Sequence, residues 1–279
     1  MLKRAYVEIT NVCNLHCDFC PGTGRAKRFL PPEEFRLLAE KLRRHVSYLY
    51  LHVMGEPLLH PQLAELLQIA AELGIKICIT TNGTLLGEKA PLLLAAPALY
   101  KLSVSLHSAE GNGMGDLTGY LADVWDYAEK ASQKGTICAL RLWNTGGADA
   151  RNGEILGFLE SKLGAPPLSM PQPRTGSWRL GERLYLEQAE RFDWPDLSAP
   201  ETDVRFCLGL RDQAAVLADG TVVPCCLDHE GDVPLGNLLE QELDEILGSP
   251  RARAVYQGFS QGKPAEPLCR RCGFARRFG

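Results

Sequence analysis

The sequence lacks the features that mark secreted, membrane and nucleic-acid-binding proteins. Its N-terminal part has no apolar run of the signal-peptide kind, and its most apolar stretches, such as residues 75–79, are far too short to span a bilayer. Lys and Arg number 30 against 34 Asp and Glu, and this net charge of -4 does not favour nucleic acid or an anionic membrane surface. Internal repeats, coiled-coil heptads and low-complexity tracts are also absent. We therefore expect a cytoplasmic protein with neither nucleic-acid nor membrane partners.

Cysteine is the residue type in excess, with ten cysteines among 279 residues. Clustered cysteines in the reducing cytoplasm are more often metal ligands or catalytic thiols than disulfides. Cys13, Cys17 and Cys20 lie within eight residues, in CNLHCDFC. Five more lie in the last third of the chain: Cys207, Cys225, Cys226, Cys269 and Cys272. Cys78 and Cys138 stand alone in apolar runs, which predicts packed core side chains rather than ligands.

Short apolar runs alternate with amphipathic stretches, as in a βα repeat. The predicted strands are residues 5–11, 48–53, 75–80, 101–106, 136–143 and 184–188. The predicted helices between them include residues 32–44, 62–73 and 116–134. This alternation implies parallel strands with right-handed crossovers, and a full eight-stranded barrel needs about 250 residues. We therefore expect an α/β fold with a partial (β/α)6 TIM-like barrel.

Two proline-rich stretches indicate how the chain is divided. The segment APPLSMPQPR contains four prolines, which excludes a regular helix there. A second stretch rich in Pro and Asp precedes Cys207, so we expect a barrel domain at residues 1–195 and a small C-terminal domain at residues 196–279. In the C-terminal domain, ADGTVVPCC predicts a turn at Asp219 and Gly220 before a strand, and residues 237–247 predict an amphipathic helix.

The two cysteine groups suit two kinds of metal site. Three thiolates on one short loop can bind three irons of a [4Fe-4S] cluster and leave the fourth iron open to a substrate or cofactor. A zinc site is the alternative, although the position of His16 between Cys13 and Cys17 makes it an awkward fourth ligand. The later cysteines offer four ligands from three chain segments, for a closed cluster or a zinc site: Cys207, Cys225, Cys269 and Cys272.

With the first cysteine group after the first strand and MGEP after the second, the sequence resembles the radical S-adenosylmethionine (SAM) superfamily. The matching motifs are C-x3-C-x-aromatic-C, with Phe19 as the aromatic residue, and the GEP motif of Gly55, Glu56 and Pro57. The resemblance implies a [4Fe-4S] cluster on Cys13, Cys17 and Cys20, with the amine and carboxylate of SAM on the fourth iron. Reductive cleavage of SAM would then yield a 5′-deoxyadenosyl radical that abstracts a substrate hydrogen.

The resemblance also implies which residues bind SAM. Glu56 is the expected acceptor for the ammonium group of SAM, because a carboxylate opposite a cation gives a charge-assisted hydrogen bond. An exposed loop carboxylate is the alternative for Glu56, and an ordinary ion pair is the alternative for Arg141. The further cofactor-binding candidates lie at or near strand ends: Asn82, Ser103, Ser105, His107 and Arg141.

The C-terminal cysteines resemble the auxiliary-cluster extensions of the same superfamily. Gly220 followed five residues later by Cys225 matches the G-x4-C element of SPASM and shortened twitch domains. A complete SPASM domain has more cysteines than this segment, so the resemblance is to the twitch form with a single auxiliary [4Fe-4S] cluster. Adjacent strand residues point to opposite faces, so Cys225 and Cys226 are not expected to bind one cluster together. The glycine spacing favours Cys225.

The expected function is a radical SAM oxidoreductase that dehydrogenates a small molecule with the help of the auxiliary cluster. A maturase of a peptide or protein is an alternative, although a first strand near Ala5 leaves no room for a leader-binding module ahead of the barrel. A non-catalytic iron–sulfur or zinc protein is the third possibility. The resemblance implies a reducing partner such as flavodoxin or ferredoxin. We predict a substrate pocket at the end of the barrel, from Glu187, Glu190, Arg191, Asp193 and Trp194.

Overall fold

The structure is a computed structural model and describes residues 2–278. These residues form two compact units. The first unit contains the residues up to Cys13, then Pro21–Ile77, then the chain from Phe192 onward. The second unit contains Asn14–Cys20 and Cys78–Arg191. The domain boundary predicted at residues 195 and 196 is a division along the sequence, and it stays a prediction.

Helices and strands alternate along most of the chain. The strands are β1 Arg4–Val7, β2 Tyr48–Tyr50, β3 Lys76–Thr81, β4 Leu99–Ser105, β5 Ile137–Thr145, β6 Ser177–Arg179, β7 Leu184–Glu190, β8 Gln213–Val216, β9 Thr221–Val223 and β10 Gly236–Asn237. The α-helices are α1 Pro32–Leu42, α2 Leu63–Glu72, α3 Leu86–Ala95, α4 Ser108–Gly111, α5 Thr118–Gln133, α6 Asn152–Leu163, α7 Leu243–Leu247 and α8 Pro250–Ser260. Within this described part of the chain, no helix has the length and apolarity that crossing a membrane requires.

The first unit is built around β1. This strand pairs in parallel with β2 on one side and with β8 on the other, so that Ala5 lies beside both Leu49 and Ala214. Strands β9 and β10 continue from β8 with antiparallel pairing. Helix α1 begins with Pro32 at its first turn and buries Phe35, at the predicted spacing, on the face that packs against α2. The C-terminal segment thus contributes β8 to the same sheet as the first strand of the chain.

The second unit contains the parallel strands β4, β5 and β7 in that order, with β6 antiparallel to β7. Ser105, Arg141 and Glu187 lie side by side in the register of these three strands. Helix α5 buries Leu121 and Val124 and packs against α3. The six strands predicted for the barrel correspond to β1, β2, β3, β4, β5 and β7.

The structure differs from the sequence prediction in the C-terminal segment. The helix predicted at residues 237–247 is wrong in its first half, because α7 begins at Leu243. The Asn237 side chain accepts the backbone N–H of Leu239 at 2.9 Å and donates to the carbonyl oxygen of Asp219 at 3.0 Å, which stabilises a turn. Glu242 and Glu245 then form a capping box that starts the helix.

Candidate functional site

The cysteine motif lies on the long loop between β1 and α1. Cys13 and Cys20 are exposed and Cys17 is half-buried, so the thiols are accessible to a ligand. In the second unit, the backbone N–H of Asp18 donates to the carbonyl oxygen of Gly111 at 3.1 Å. A Cβ atom at Gly111 would come within 2.8 Å of the Phe19 ring, so this part of the loop packs closely against α4.

Asn112, the residue after α4, connects the cysteine loop to the second unit. Its Nδ2 atom donates to the Cys17 Sγ atom at 3.0 Å and to the Ser108 carbonyl oxygen at 2.8 Å. Its Oδ1 atom accepts the backbone N–H of His16 at 2.7 Å. The Asn112 amide therefore fixes the position of a predicted cluster ligand. No sequence motif marks this residue.

Asn82 and Phe19 also anchor the loop within the second unit. The Asn82 Nδ2 atom donates to Asn14 Oδ1 at 2.9 Å, and Asn82 Oδ1 accepts from the Thr84 hydroxyl at 2.7 Å. The ring centroid of Phe19 lies 4.9 Å from that of His107. Burial lowers the pKa of His107 to about 4, so its ring is neutral at pH 7. The structure therefore brings Asn82 and His107 to the cysteine loop, where His107 contacts Phe19.

The GEP loop lies in the first unit, next to the residues that precede Cys13. Gly55 has a φ of 76°, and a Cβ atom there would come within 2.4 Å of the Thr10 carbonyl oxygen. The backbone N–H of Glu56 donates to the Val12 carbonyl oxygen at 2.8 Å. The Glu56 side chain is buried, 2% exposed, and accepts the backbone N–H of Leu58. Glu56 is therefore not an exposed loop carboxylate, and its role towards SAM stays a prediction.

The candidates on β4 and β5 have different surroundings. Ser103 is buried in β4, and Ser105 is the half-buried last residue of that strand. Arg141 forms an ion pair with Glu187, with its Nε atom 3.2 Å from Glu187 Oε2. Its guanidinium carbon lies 4.5 Å from the centroid of the Trp143 ring. The structure thus pairs Arg141 with a carboxylate of β7, and its predicted contact with SAM stays a prediction.

The predicted substrate-pocket residues fall in both units. Glu187 and Glu190 belong to β7, and Arg191 Nη1 lies 3.8 Å from Asp18 Oδ2 in the second unit. Asp193 and Trp194 belong to the first unit, where the Trp194 ring contacts the ring of His229 at a centroid distance of 5.4 Å. The predicted pocket itself stays a prediction.

The C-terminal segment of the first unit contains a cavity of about 400 Å³, part of it open to solvent. Four cysteines line it: Cys207, Cys225, Cys269 and Cys272. These are the four that the sequence spacing selected. Most of the remaining wall is apolar, with side chains such as Phe259 and Leu268. The backbone N–H of Gly209 donates to Cys207 Sγ at 3.4 Å, a contact of the kind that stabilises a cluster ligand.

The electrostatics of this cavity fit an iron–sulfur cluster. Burial raises the pKa of Cys225 well above its usual range, and the charges of the other three cavity cysteines raise it further. Burial raises the pKa of Cys272 to about 11. Thiols of this kind ionise when a cationic metal offsets their mutual repulsion.

The remaining cysteines occupy other surroundings. Cys226 packs against a cluster that includes Tyr6 and Val223, away from the cavity that Cys225 lines. Gly220, at the turn before them, has a φ of 88°, and a Cβ atom there would come within 2.4 Å of Asn237 Oδ1. Cys78 and Cys138 are buried in β3 and β5 as predicted: Cys78, 2% exposed, and Cys138, 1% exposed.

A buried ion pair that no sequence motif marks connects three loops of the first unit. Glu8 is fully buried, and its two carboxylate oxygens accept from Arg25 at 2.6 and 2.8 Å. The same oxygens accept the backbone N–H groups of Met54, next to the GEP motif, and Ala218, next to the Asp219 turn. Arg25 also donates to the carbonyl oxygen of His229 at 2.7 Å. Glu8 thereby ties the GEP loop and the C-terminal segment to β1.

Two family models match the chain. The model of the Radical SAM superfamily matches residues 7–145, and the SPASM model, an iron-sulfur cluster-binding domain, matches residues 207–273. The first match contains the C-x3-C-x-aromatic-C and GEP motifs, and the second contains the four cavity cysteines. These models imply a [4Fe-4S] cluster with SAM and an auxiliary iron–sulfur cluster, as the sequence predicted.

Curated relatives and solved structures extend this similarity. A GTP 3′,8-cyclase of Chlorobaculum tepidum is 34% identical over 86% of this chain and 83% of its own length. The matches to a GTP 3′,8-cyclase of Aquifex aeolicus (37% identical over 38% of this chain) and to a probable GTP 3′,8-cyclase of Sulfurisphaera tokodaii (34% identical over 40% of this chain) span only 36% and 37% of those proteins. BtrN in complex with AdoMet and 2-DOIA covers 98% of this chain and 93% of its own at 17% identity, with a TM-score of 0.59. Streptococcus suis SuiB bound to precursor peptide SuiA covers 99% of this chain and 70% of its own at 18% identity, with a TM-score of 0.65. The structural similarities confirm the predicted fold, a partial barrel with a C-terminal SPASM-like part.

Proposed function

The chain belongs to the radical SAM superfamily and carries a SPASM-type iron–sulfur domain, and from this premise we propose that it is an oxidoreductase that dehydrogenates a small molecule. The supporting observation is the cavity that four cysteines line in the C-terminal segment. Four thiolates occupy all the protein-facing positions of a [4Fe-4S] cluster, so that no iron is left open to a substrate. A closed cluster of this kind suits electron transfer better than substrate binding.

Cys13, Cys17 and Cys20 would hold the cluster that binds SAM, and the four cavity cysteines would hold the auxiliary cluster. When bound, these groups would supply radical removal of a substrate hydrogen and an acceptor for the second substrate electron. The protein residues position these groups. Asn112 and Asn82 fix the cysteine loop through their amide groups. We assign the ammonium of SAM to Glu56, whose buried carboxylate lies one residue beyond the Gly55 turn.

The test compares two cysteine variants after anaerobic reconstitution. Cys269→Ala removes a ligand of the cavity, whereas Cys226→Ala changes a neighbouring cysteine that packs elsewhere. The assay supplies SAM, dithionite and a panel of deuterated alcohols and amines, and it measures both 5′-deoxyadenosine and oxidised product. We expect Cys269→Ala to form 5′-deoxyadenosine without oxidised product, and Cys226→Ala to form both. Full turnover by Cys269→Ala would contradict a role of the auxiliary cluster in the oxidation.

The similarity to GTP 3′,8-cyclases favours a second candidate, a radical cyclisation of a nucleotide. Its basis is the match to the Chlorobaculum tepidum protein, which extends over 86% of this chain. Incubation of the reconstituted enzyme with GTP, SAM and dithionite distinguishes the candidates. A GTP-dependent increase in 5′-deoxyadenosine with a cyclised product would support cyclisation, and the absence of both with GTP would leave dehydrogenation as the favoured reaction.

The similarity to SuiB bound to precursor peptide SuiA favours a third candidate, the modification of a peptide. The same assay with short peptides in place of metabolites tests it, and peptide-dependent formation of 5′-deoxyadenosine would support it. A flavodoxin or ferredoxin as reductant and a cytoplasmic location remain predictions from the sequence. Replacing dithionite with reduced flavodoxin in the assay tests the first of these.

A further inference from the structure

A cluster of four charged residues lies on one face of the second unit, apart from the cysteine motif in the sequence. The carboxylate of Glu187 on β7 is shared by three cations from different segments. Arg174 Nη2 lies 2.5 Å from Glu187 Oε1, and Lys101 Nζ lies 3.5 Å from the same oxygen. Arg141 Nε lies 3.2 Å from Glu187 Oε2. We call these four residues the cationic cluster: Lys101, Arg141, Arg174 and Glu187.

The strand register explains why these side chains meet. Arg141 is paired with both Ser105 and Glu187, so their side chains project from the same face of the parallel strands. Lys101 lies four residues before Ser105 on β4, and side chains of a strand alternate with a period of two. Lys101, Arg141 and Glu187 therefore share the strand face that also carries Ser105, a residue predicted to bind SAM, and Arg174 reaches Glu187 from the segment before β6.

The charges of the cationic cluster do not balance. Three cations surround one carboxylate, which leaves an excess of two positive charges. Water screens Glu187, Arg141 and Lys101 poorly, because their side chains are 8%, 13% and 20% exposed, whereas Arg174 is mostly exposed to solvent. Among the residues that the structure describes, Glu187 is the one acidic group within 4 Å of the Lys101 ammonium.

The electrostatics of Lys101 reflect this imbalance. Burial lowers the pKa of Lys101, and the positive charges of Arg141 and Arg174 lower it further, against the attraction of Glu187. Burial of a cation without sufficient compensation is costly. An anion placed beside Lys101 and Arg174 would supply the missing negative charge.

We propose that Lys101 and Arg174 bind an oxyanion of the substrate, a carboxylate or phosphate group, with Glu187 holding both cations and Arg141 in position. Arg guanidinium groups bind such oxyanions with paired hydrogen bonds, and a Lys ammonium adds a point charge. The side chain of Arg174 is 66% exposed, so an arriving ligand can reach it. The proposal rests on the proposed function, because it concerns the substrate of a radical SAM enzyme. It narrows that substrate to an anionic small molecule.

The experiment measures anion binding by the anaerobically reconstituted enzyme. Inorganic phosphate and succinate are titrated calorimetrically in the presence of SAM at constant ionic strength, and SAM is titrated separately. The variants are Lys101→Gln and Arg174→Gln. The control is Lys134→Gln, which removes the same charge at an exposed position after α5. Arg174 lies on an exposed loop, so Arg174→Gln should fold even if Lys101→Gln does not.

We expect phosphate or succinate to bind the wild type, and both variants to bind it at least tenfold more weakly, with Lys134→Gln unchanged. The tighter of the two anions identifies the preferred group. SAM affinity should stay the same in all variants.

Equal anion affinity in the variants and wild type, or no anion binding by the wild type, would overturn the proposal. Weaker SAM binding in both variants would also overturn it, because the cluster would then bind the carboxylate of the cofactor. Dithionite-dependent cleavage of SAM, measured in parallel, tests the proposed function separately.

Discussion

Replacement of Arg25 by Gln removes the cation that compensates a fully buried carboxylate. The Glu8 side chain is 0% exposed, and both of its oxygens accept from the Arg25 guanidinium. Removing one partner of a buried pair costs about 3–5 kcal/mol, because the other charge remains in a poorly solvated place. The backbone N–H groups of Met54 and Ala218 still donate to Glu8, so the expected loss is near the lower limit.

Arg28 provides the matched control. It forms an ion pair with Glu34, but the two side chains are 37% and 28% exposed, and such pairs contribute about 0–1 kcal/mol. A loss of 3–5 kcal/mol in Arg25→Gln corresponds to a fall in Tm of about 6–10 °C at about 2 °C per kcal/mol. Arg28→Gln should lower Tm by about 2 °C or less. Anaerobic circular dichroism of both variants, prepared in the same way, gives the comparison.

A double variant separates the effect of charge from the effect of packing. Glu8→Gln in the Arg25→Gln background removes the uncompensated charge, so we expect part of the lost stability to return. Equal values of Tm for Arg25→Gln and Arg28→Gln would refute the reasoning. A double variant less stable than Arg25→Gln would also refute it, because burial of the Glu8 charge would then not be the cause.

Three further predictions concern the cysteine loop, the GEP loop and a buried histidine. Asn112→Leu removes the N–H donor to Cys17 Sγ, which stabilises negative charge on the sulfur. The midpoint potential of the SAM-binding cluster should therefore become about 20–60 mV more negative in an EPR-monitored redox titration. An unchanged potential would contradict this. Gly55→Ala should lower the free energy of unfolding by about 1–3 kcal/mol, because the new Cβ atom would meet the Thr10 carbonyl oxygen. Gly74 has a similar φ but no atom within 4 Å of its Cβ position, so Gly74→Ala should cost less. Urea unfolding of the two variants gives the comparison. Burial lowers the pKa of His60, so the stability it contributes is present above its ordinary pKa of 6.5 and is lost as the pH falls below that value. His60→Gln should therefore lose less stability between pH 7 and pH 5.5 than the wild type, and an equal loss would contradict this.

The sequence predicted the features of the site that depend on residue type and spacing. Short segments of sequence specify the two cysteine groups and the GEP loop. They also specify the strands that precede the cysteine loop and the GEP loop. The spacing from Gly220 favours Cys225 over Cys226, and Cys225 lines the cavity. Strand alternation does not separate the two, because β9 ends at Val223 and both cysteines follow it. Buried positions of Cys78 and Cys138 followed from the apolar runs around them.

Contacts between distant segments could not be predicted in this way. Asn112 contacts Cys17 across 95 residues, and Glu8 contacts Ala218 across 210 residues. Such contacts depend on which strands are neighbours and on their register, which a single sequence does not specify. The cationic cluster also needed the register of β4, β5 and β7, because Lys101 and Arg141 have no motif around them.

Measurement of 5′-deoxyadenosine tests whether the protein cleaves SAM at a cluster on the cysteine motif. The protein is reconstituted anaerobically with iron and sulfide, incubated with SAM and dithionite, and compared with a Cys17→Ala variant treated identically. We expect dithionite-dependent formation of 5′-deoxyadenosine by the wild type and none by Cys17→Ala, which lacks a ligand of the motif loop. No 5′-deoxyadenosine from wild-type protein that contains both clusters would contradict the account.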